Sequence, residues 1–490
     1  MLECQIGMSN DLNGRTINAT KWATLAELLA KLVSPISSMI LARLLDPSAY
    51  GILVIALMVI SFAEIFTDAG FQKYLVQNKF DTIEDLFRST TVAFWTNLVL
   101  SLIIWAIVIL FATPIATIVG GVGYEKVIIV SCAAIPIAAF SSIQTAIFKR
   151  NLDFKSLFPI RMVGVAIPLV ITVPLAFITR SYWSLIIGML SKDVVTAVLL
   201  TIKSPWKPKF FYSITLLKQM LSFTLWTMFE AVSIWLTSYI DIFIVTSFLS
   251  SHYLGLYRTS MTTVNQILAL IVSSTTPVLF SSLSKLQDDL KGYKDFFYQF
   301  QKAVSIVLIP MGMFIYLFDD VVTNIFLGSQ WLETSFFIGL FSLLLPYKIL
   351  ISDYSSEVCR SLGKPNISLY RQIFMMLVIF VCVFISVKDG YETLCKMRTL
   401  SMLGGILSGF VVLYCLARFN PIDIVKNIFP SSIASILMCF VIKALPAIQD
   451  KVWMIIIYII IAACTYFSTL CLFTQERKIL TNALSILKRR

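Results

Sequence analysis

The sequence predicts an all-α polytopic membrane protein of about fourteen transmembrane helices, arranged as two pseudo-repeated six-helix lobes plus two C-terminal helices. Three observations predict it. The 490 residues are 58% hydrophobic and only 13% charged, with a mean hydropathy of +0.86. A soluble domain carries nearly twice that charged fraction. Apolar runs long enough to cross a bilayer recur with short polar breaks, and none shows the residue-by-residue alternation of a β-barrel strand. A hinge motif, together with a basic loop, recurs about 204 residues downstream of its first copy.

The runs fall at about 20–45, 51–75, 87–112, 127–148, 159–179, 182–202, 221–248, 257–281, 296–318, 333–358, 366–387, 392–417, 425–446 and 451–473. The first pair is joined by the five residues Asp46 to Tyr50, which forces antiparallel neighbours. Lys and Arg exceed Asp and Glu by 12 (39 − 27). With the N-terminus inside, most of these basic residues fall on inner loops, such as Lys149, Arg150, Lys155 and Arg161. The C-terminal Arg477, Lys478, Lys488, Arg489 and Arg490 join them. The expectation is therefore a multi-pass protein of the cell membrane with both termini cytoplasmic, an even number of spans agreeing with shared sides. The polar N-terminus lacks the apolar core of a signal peptide, so the first span is expected to stay in the mature protein.

Several features carry bland readings. The nine cysteines are scattered, form no C-x-x-C, and read as small buried thiols. Gly120-Gly121-Val122-Gly123 lacks the Lys-Ser/Thr ending of a phosphate loop and reads as a turn. The polar stretch Ser281 to Lys302 reads equally as a surface helix or as a loop entering span nine. Trp22, Trp206 and Trp331 fall near span ends, where an aromatic belt would put them. A single histidine, His252, excludes multi-His metal sites, and its expected place in a short outer turn argues against a His-based triad. No cofactor, no nucleic-acid partner and no enzyme chemistry is expected.

The repeat lays Leu44–Leu53 on Phe248–Tyr257, and the loop after span four on the loop after span ten. It predicts an N-lobe at 1–205, a C-lobe at 206–420, and an addition at 421–490 with a basic tail. Halves of equal orientation would rock about a central cavity to give alternating access.

Function must come from ionisable groups inside spans, which hydrocarbon does not tolerate without a reason. Span 1 carries Glu27, Lys31 and Arg43, with Glu27 and Lys31 sharing a face at i,i+4. Span 2 carries Glu64 and Asp68, like charges on one face that need a proton or cation between them. Lys192, Glu230, Asp241 and Arg258 follow, and then Lys348, Asp353 and Glu357. Arg43, Asp68, Arg258 and Glu357 can equally snorkel from span ends, and Glu27–Lys31 can equally be a structural pair.

ILARLLDPSAYGILVIAL followed by FAEIFTDAGFQKYLVQ resembles the opening helices of bacterial polysaccharide flippases. These are the O-antigen and capsule repeat-unit translocases of the multidrug/oligosaccharidyl-lipid/polysaccharide exporter superfamily. FKRNLDFKSL, SYWSLIIG, TPVLFSSLSKLQ and NIFLGSQW resemble later segments of the same family. The resemblance implies two lobes in a V, spans 1, 2, 7 and 8 lining a cavity, and a polyprenyl-pyrophosphate-linked oligosaccharide as substrate. It implies Lys31, Arg43, Arg258 and Lys192 as pyrophosphate or sugar contacts. Glu27, Glu64, Asp68, Glu230 and Asp241 become ion-coupling or cavity carboxylates, with H+ or Na+ as the ion and glycan polymerase machinery as a partner. The alternatives are a cation-coupled drug antiporter of the same superfamily and a membrane-embedded glycan polymerase.

Overall fold

The computed structural model describes residues 2–68, 70–78, 80–446 and 452–478; the side chains of 2–20, 28, 68, 221–227, 229, 230, 365 and 452 are also outside the description. The last basic residues of the expected tail, Lys488, Arg489 and Arg490, therefore lie outside the described residues. Among the described residues fourteen helices are long and apolar enough to span a membrane, in agreement with the sequence. They are α1 (Lys21–Leu44), α2 (Pro47–Thr67), α3 (Ile83–Leu110), α4 (Glu125–Arg150), α5 (Phe154–Thr179), α6 (Trp183–Lys203) and α7 (Ala231–Phe248). There follow α8 (Ser251–Lys285), α9 (Leu290–Leu317), α10 (Ser329–Ser361), α11 (Asn366–Asp389), α12 (Tyr391–Ala417), α13 (Pro421–Ala444) and α14 (Trp453–Cys471). α1 is continuous from Leu2 and α7 from Ile214. No strand occurs among the described residues. Helices satisfy every backbone group internally, which hydrocarbon demands.

Side-chain caps mark the starts that short loops require. Thr82 accepts from the Asp85 amide, Asp153 from Ser156, Asp289 from Gly292 and Asn420 from Ile422. The Asp289 cap settles the stretch Ser281 to Lys302. It is the end of α8, a tight turn and the start of α9, with no separate surface helix.

The chain forms two compact units, residues 1–258 with 326–330, and residues 259–325 with 331–490. In the first, α1 packs on α5, α4 on α3 and α6, and α7 on α2. A short helix, Phe71–Gln77, ends against Arg150, whose Nη1 donates to the carbonyls of Leu75 (2.6 Å) and Asn78 (2.8 Å). Those are the orphan acceptors of a helix C-terminus. Trp206 is buried against Phe94 and Met220 instead of standing in an interfacial belt, because the connector after α6 folds back under the bundle. Trp331 is likewise buried in a 3-10 turn.

The two hinge copies meet inside this unit. A Cβ on Gly51 would fall 1.8 Å from the Ser251 carbonyl oxygen, and one on Gly255 would fall 1.8 Å from the Pro47 carbonyl oxygen. Gly51 pairs with Gly255, and Pro47 with Ser251, at the 204-residue offset, so each copy makes the contact that its counterpart makes back. That reciprocity is the signature of a two-fold seam. Backbones this close leave room only for glycine.

In the second unit α9 packs on α10 and α13, α13 on α14, and α12 on α10 and α11. α10 is interrupted after Pro346 by a π-helical turn, Lys348–Asp353. Proline lacks an amide donor, so the ladder is already broken there.

Candidate functional site

In the first unit a cavity of about 640 Å³ runs along α1 from Trp22 to Leu41, walled by α4, α5 and α6. Polar bonds brace the helices around it. Asn97 on α3 donates to Ser142 on α4 (2.9 Å), and Gln144 on α4 donates to Thr201 on α6 (3.0 Å). Interhelical amide and hydroxyl bonds of this kind hold membrane helices in one register.

Among the described residues three charged side chains line the cavity, Lys149, Arg161 and Lys192, and all are cations. Lys149 stands at the end of α4, Arg161 two turns into α5, and Lys192 midway along α6. They form a ladder from the end of the bundle toward its middle. Lys192 is half exposed and only 3.9 Å from Asp193. Hydroxyls of Ser34, Ser37 and Thr196 interleave with the cations, and Trp22 and Phe158 meet edge to face across the mouth at 5.0 Å. Beside the cavity Glu27 accepts from Lys31 (3.3 Å) and from Arg161, bridging α1 to α5. The i,i+4 pair expected from the sequence is thus present, with a third member that the sequence reading placed in a loop. Cations outnumber acids here, so the site suits a phosphate-bearing ligand that Arg and Lys can chelate.

The other sequence candidates fall elsewhere. Arg43 is exposed in the last turn of α1, against Gly328, where Gln330 donates to the Ala42 and Leu45 carbonyls. Asp241 is buried and accepts from the Tyr257 hydroxyl (2.9 Å) and the Ile242 amide (2.9 Å). The Arg258 guanidinium lies 5.8 Å from the Tyr239 ring centroid. Glu64 is half-buried on α2. The side chains of Asp68 and Glu230 lie outside the described residues. Of the nine candidates, Lys192 lines the cavity, and Glu27 and Lys31 flank it. The reading missed Lys149 and Arg161.

The second unit holds its own ionisable cluster, at the π turn. There Lys348 and Asp353 pair at 2.8 Å across an i,i+5 spacing. An α-helix would put those residues on different faces; a π turn stacks them. Arg371 on α11 is buried and donates to the Ser352 and Ser356 hydroxyls, with its Nε unpartnered. Gln301 donates to the Leu350 carbonyl (3.1 Å), an acceptor inside the π turn. Glu357 pairs with Arg360 at 3.2 Å. Among the described residues no group of His, Cys, Asp and Glu could hold a metal ion.

The fold is that of known transporters. The solved lipid II flippase MurJ, in an inward closed conformation, superposes with a TM-score of 0.74 at 17% identity, covering 92% of this chain and 98% of that one. An inward-facing multidrug resistance MATE family transporter of the MOP superfamily gives 0.59 at 14% identity, covering 82% and 98%. By sequence the chain is similar to an uncharacterized membrane protein in the cps region of Klebsiella pneumoniae, 24% identical over 65% of each chain. It is similar to the succinoglycan biosynthesis transport protein ExoT of Rhizobium meliloti, 21% identical over 69% of this chain and 67% of that one. It is also similar to the lipopolysaccharide biosynthesis protein WzxC of Escherichia coli, 21% identical over 65% of each. The matches span about two thirds of the length of these relatives. The polysaccharide biosynthesis protein family matches residues 40–336, more than half of the chain, and this chain belongs to that family.

Proposed function

We propose that the protein is a flippase that carries a polyprenyl-pyrophosphate-linked oligosaccharide from the inner to the outer leaflet for surface polysaccharide synthesis. The observation that carries this reading is the cavity inside the first unit, whose three charged lining side chains are all cations. The pyrophosphate diester brings two negative charges that must leave water to cross the bilayer. Fixed cations in a restricted cavity offset that desolvation. Lys149, Arg161 and Lys192 would hold the phosphates, Lys31 would reinforce them, and the serine and threonine hydroxyls with Trp22 would face the sugars. No bond is made or broken; alternating access of the lobes moves the headgroup while the lipid chain stays in the membrane. Family membership supports a transport role in polysaccharide biosynthesis. The relatives named as a transport protein and as a lipopolysaccharide biosynthesis protein agree with it. A drug antiporter of the same fold would be expected to offer an acidic cavity to its cationic cargo, and the basic lining favours the flippase.

The test is a deletion strain analysed for lipid-linked sugars. The expected result is accumulation of complete repeat units on the inner leaflet, relieved by the wild-type gene. Normal surface glycan in a deletion strain that has no other flippase would sink the proposal.

A further inference from the structure

A second cavity of the first unit, about 770 Å³, lies between α2, α3, the short helix Ala112–Ile118 and α7. Among the described residues its lining is hydrocarbon and aromatic, apart from Thr96 and the Trp235 indole nitrogen. Both polar groups are already occupied. Thr96 Oγ1 donates to the Val92 carbonyl (2.8 Å) and meets the Tyr212 hydroxyl (3.1 Å), and Trp235 Nε1 donates to Ser61 Oγ (3.0 Å). A water here would find none of the two to four partners it needs. A void of this size does not persist in a packed protein either. The occupant is therefore apolar, and in a bilayer the apolar matter at hand is lipid chain.

The length of the groove selects which chain. Its α7 wall runs from Met228 to Phe243, fifteen rises of about 1.5 Å, or about 22 Å. The α3 wall, Thr96 to Val108, covers about 18 Å by the same measure. One leaflet offers a phospholipid acyl chain only about 15 Å of hydrocarbon before the midplane. The groove exceeds that, so it suits a chain that crosses the midplane. Phe62 meets Phe66 at 5.2 Å and Trp235 at 4.7 Å, and Trp235 meets Phe243 at 5.6 Å, making a rigid aromatic wall pinned by the Ser61 bond. We propose that this groove is the track for the isoprenoid chain of the lipid-linked substrate, holding the chain across the midplane while the headgroup changes leaflet. The proposal rests on the flippase reading above.

Two measurements test it. In the first, Leu236 is replaced by the photoreactive p-benzoylphenylalanine in the full chain. The protein is placed in nanodiscs of phosphatidylethanolamine and phosphatidylglycerol with polyprenyl phosphate as a minor component. After irradiation, the adduct is weighed by intact-mass spectrometry. The expected result is polyprenyl phosphate adducts several-fold above their share of the lipid. Phospholipid adducts in proportion to their share, or no adduct, would overturn the track. In the second, Leu100→Trp and Ile104→Trp fill the groove, and export of repeat units is measured in the deletion strain. A several-fold loss is expected from variants that still elute as folded protein; wild-type export from them would overturn the track and leave the flippase reading standing. Failure of the wild-type gene itself to restore export would sink the flippase reading, whatever the label in the groove shows.

Discussion

The cavity of the first unit and the π turn of the second both place charges inside spanning helices, and they treat them oppositely. Around the cavity, Lys149 and Lys192 line open space, with Lys192 half exposed and 3.9 Å from Asp193, while Arg161 lines the cavity and also pairs with Glu27. At the π turn, Lys348 is locked onto Asp353 at 2.8 Å, Glu357 onto Arg360, and Arg371 is clamped by two serines with almost no exposure. Ionisable residues in a membrane protein thus divide by what they face. Pairs such as Lys348–Asp353 and Glu357–Arg360 are spent within their own helix, and Arg371 ties α11 to α10; charges left toward a cavity are available to a ligand. Depth in the membrane alone does not separate the two kinds.

This contrast can be broken by substitution. The largest effect on stability is expected from Arg371→Ala, which empties a buried volume and strands two serine hydroxyls. A loss of about 2–5 kcal/mol is expected, read as a lower melting temperature in detergent. Arg371→Lys should not restore it, because an ammonium cannot fork to Ser352 and Ser356 at once. Lys149→Ala with Lys192→Ala should do the reverse. Stability should stay within about 0.5 kcal/mol of wild type, as for surface changes, while export of repeat units falls about tenfold, equivalent to about 1.4 kcal/mol of lost contact. If that double variant melts like Arg371→Ala, the division between the regions is wrong.

Glu27→Gln sharpens the boundary, since Glu27 belongs to both kinds. It bridges two helices, yet its carboxylate is 45% exposed, so the cost should be under about 1 kcal/mol. Freed of Glu27, Lys31 and Arg161 should bind polyprenyl pyrophosphate more tightly, which a titration of purified protein would read. The smallest effect lies outside both regions. Burial, with Asp320 beside it, pushes the Asp319 carboxyl up to about 6 from 3.8. A carboxyl raised on folding binds its proton more tightly in the folded state. Its contribution therefore improves as pH falls through about 6 and is lost as pH rises. Asp319→Asn should melt slightly above wild type at pH 7.5, and the difference should shrink toward pH 5.

The sequence carried most of the fold and part of the site, for reasons visible in particular residues. Helices long enough to span announce themselves locally, so all fourteen were legible. Glu27 and Lys31 were legible as a pair because four residues separate them. Arg161 was not, being 134 residues from Glu27. A local signal did exist. Asp153 caps α5 and starts it at Phe154, which puts Arg161 two turns inside the helix and not in a loop. Lys149 and Arg150 are adjacent and looked alike in sequence. Only tertiary structure shows Arg150 capping the Phe71–Gln77 helix while Lys149 lines the cavity. The π turn left no periodicity to read beyond Pro346, so the Lys348–Asp353 pair at i,i+5 could not be foreseen. The hinge repeat was readable as a pattern, but not that its two glycines would meet.

The central claim is that the cationic cavity of the first unit holds the anionic headgroup. Its most direct test is equilibrium binding of polyprenyl pyrophosphate to the purified full chain in detergent, wild type against Lys149→Ala with Lys192→Ala. The account predicts affinity weaker by about tenfold or more in the double variant, with a salt dependence reduced in step. Equal affinity for both proteins would contradict it and place the headgroup elsewhere.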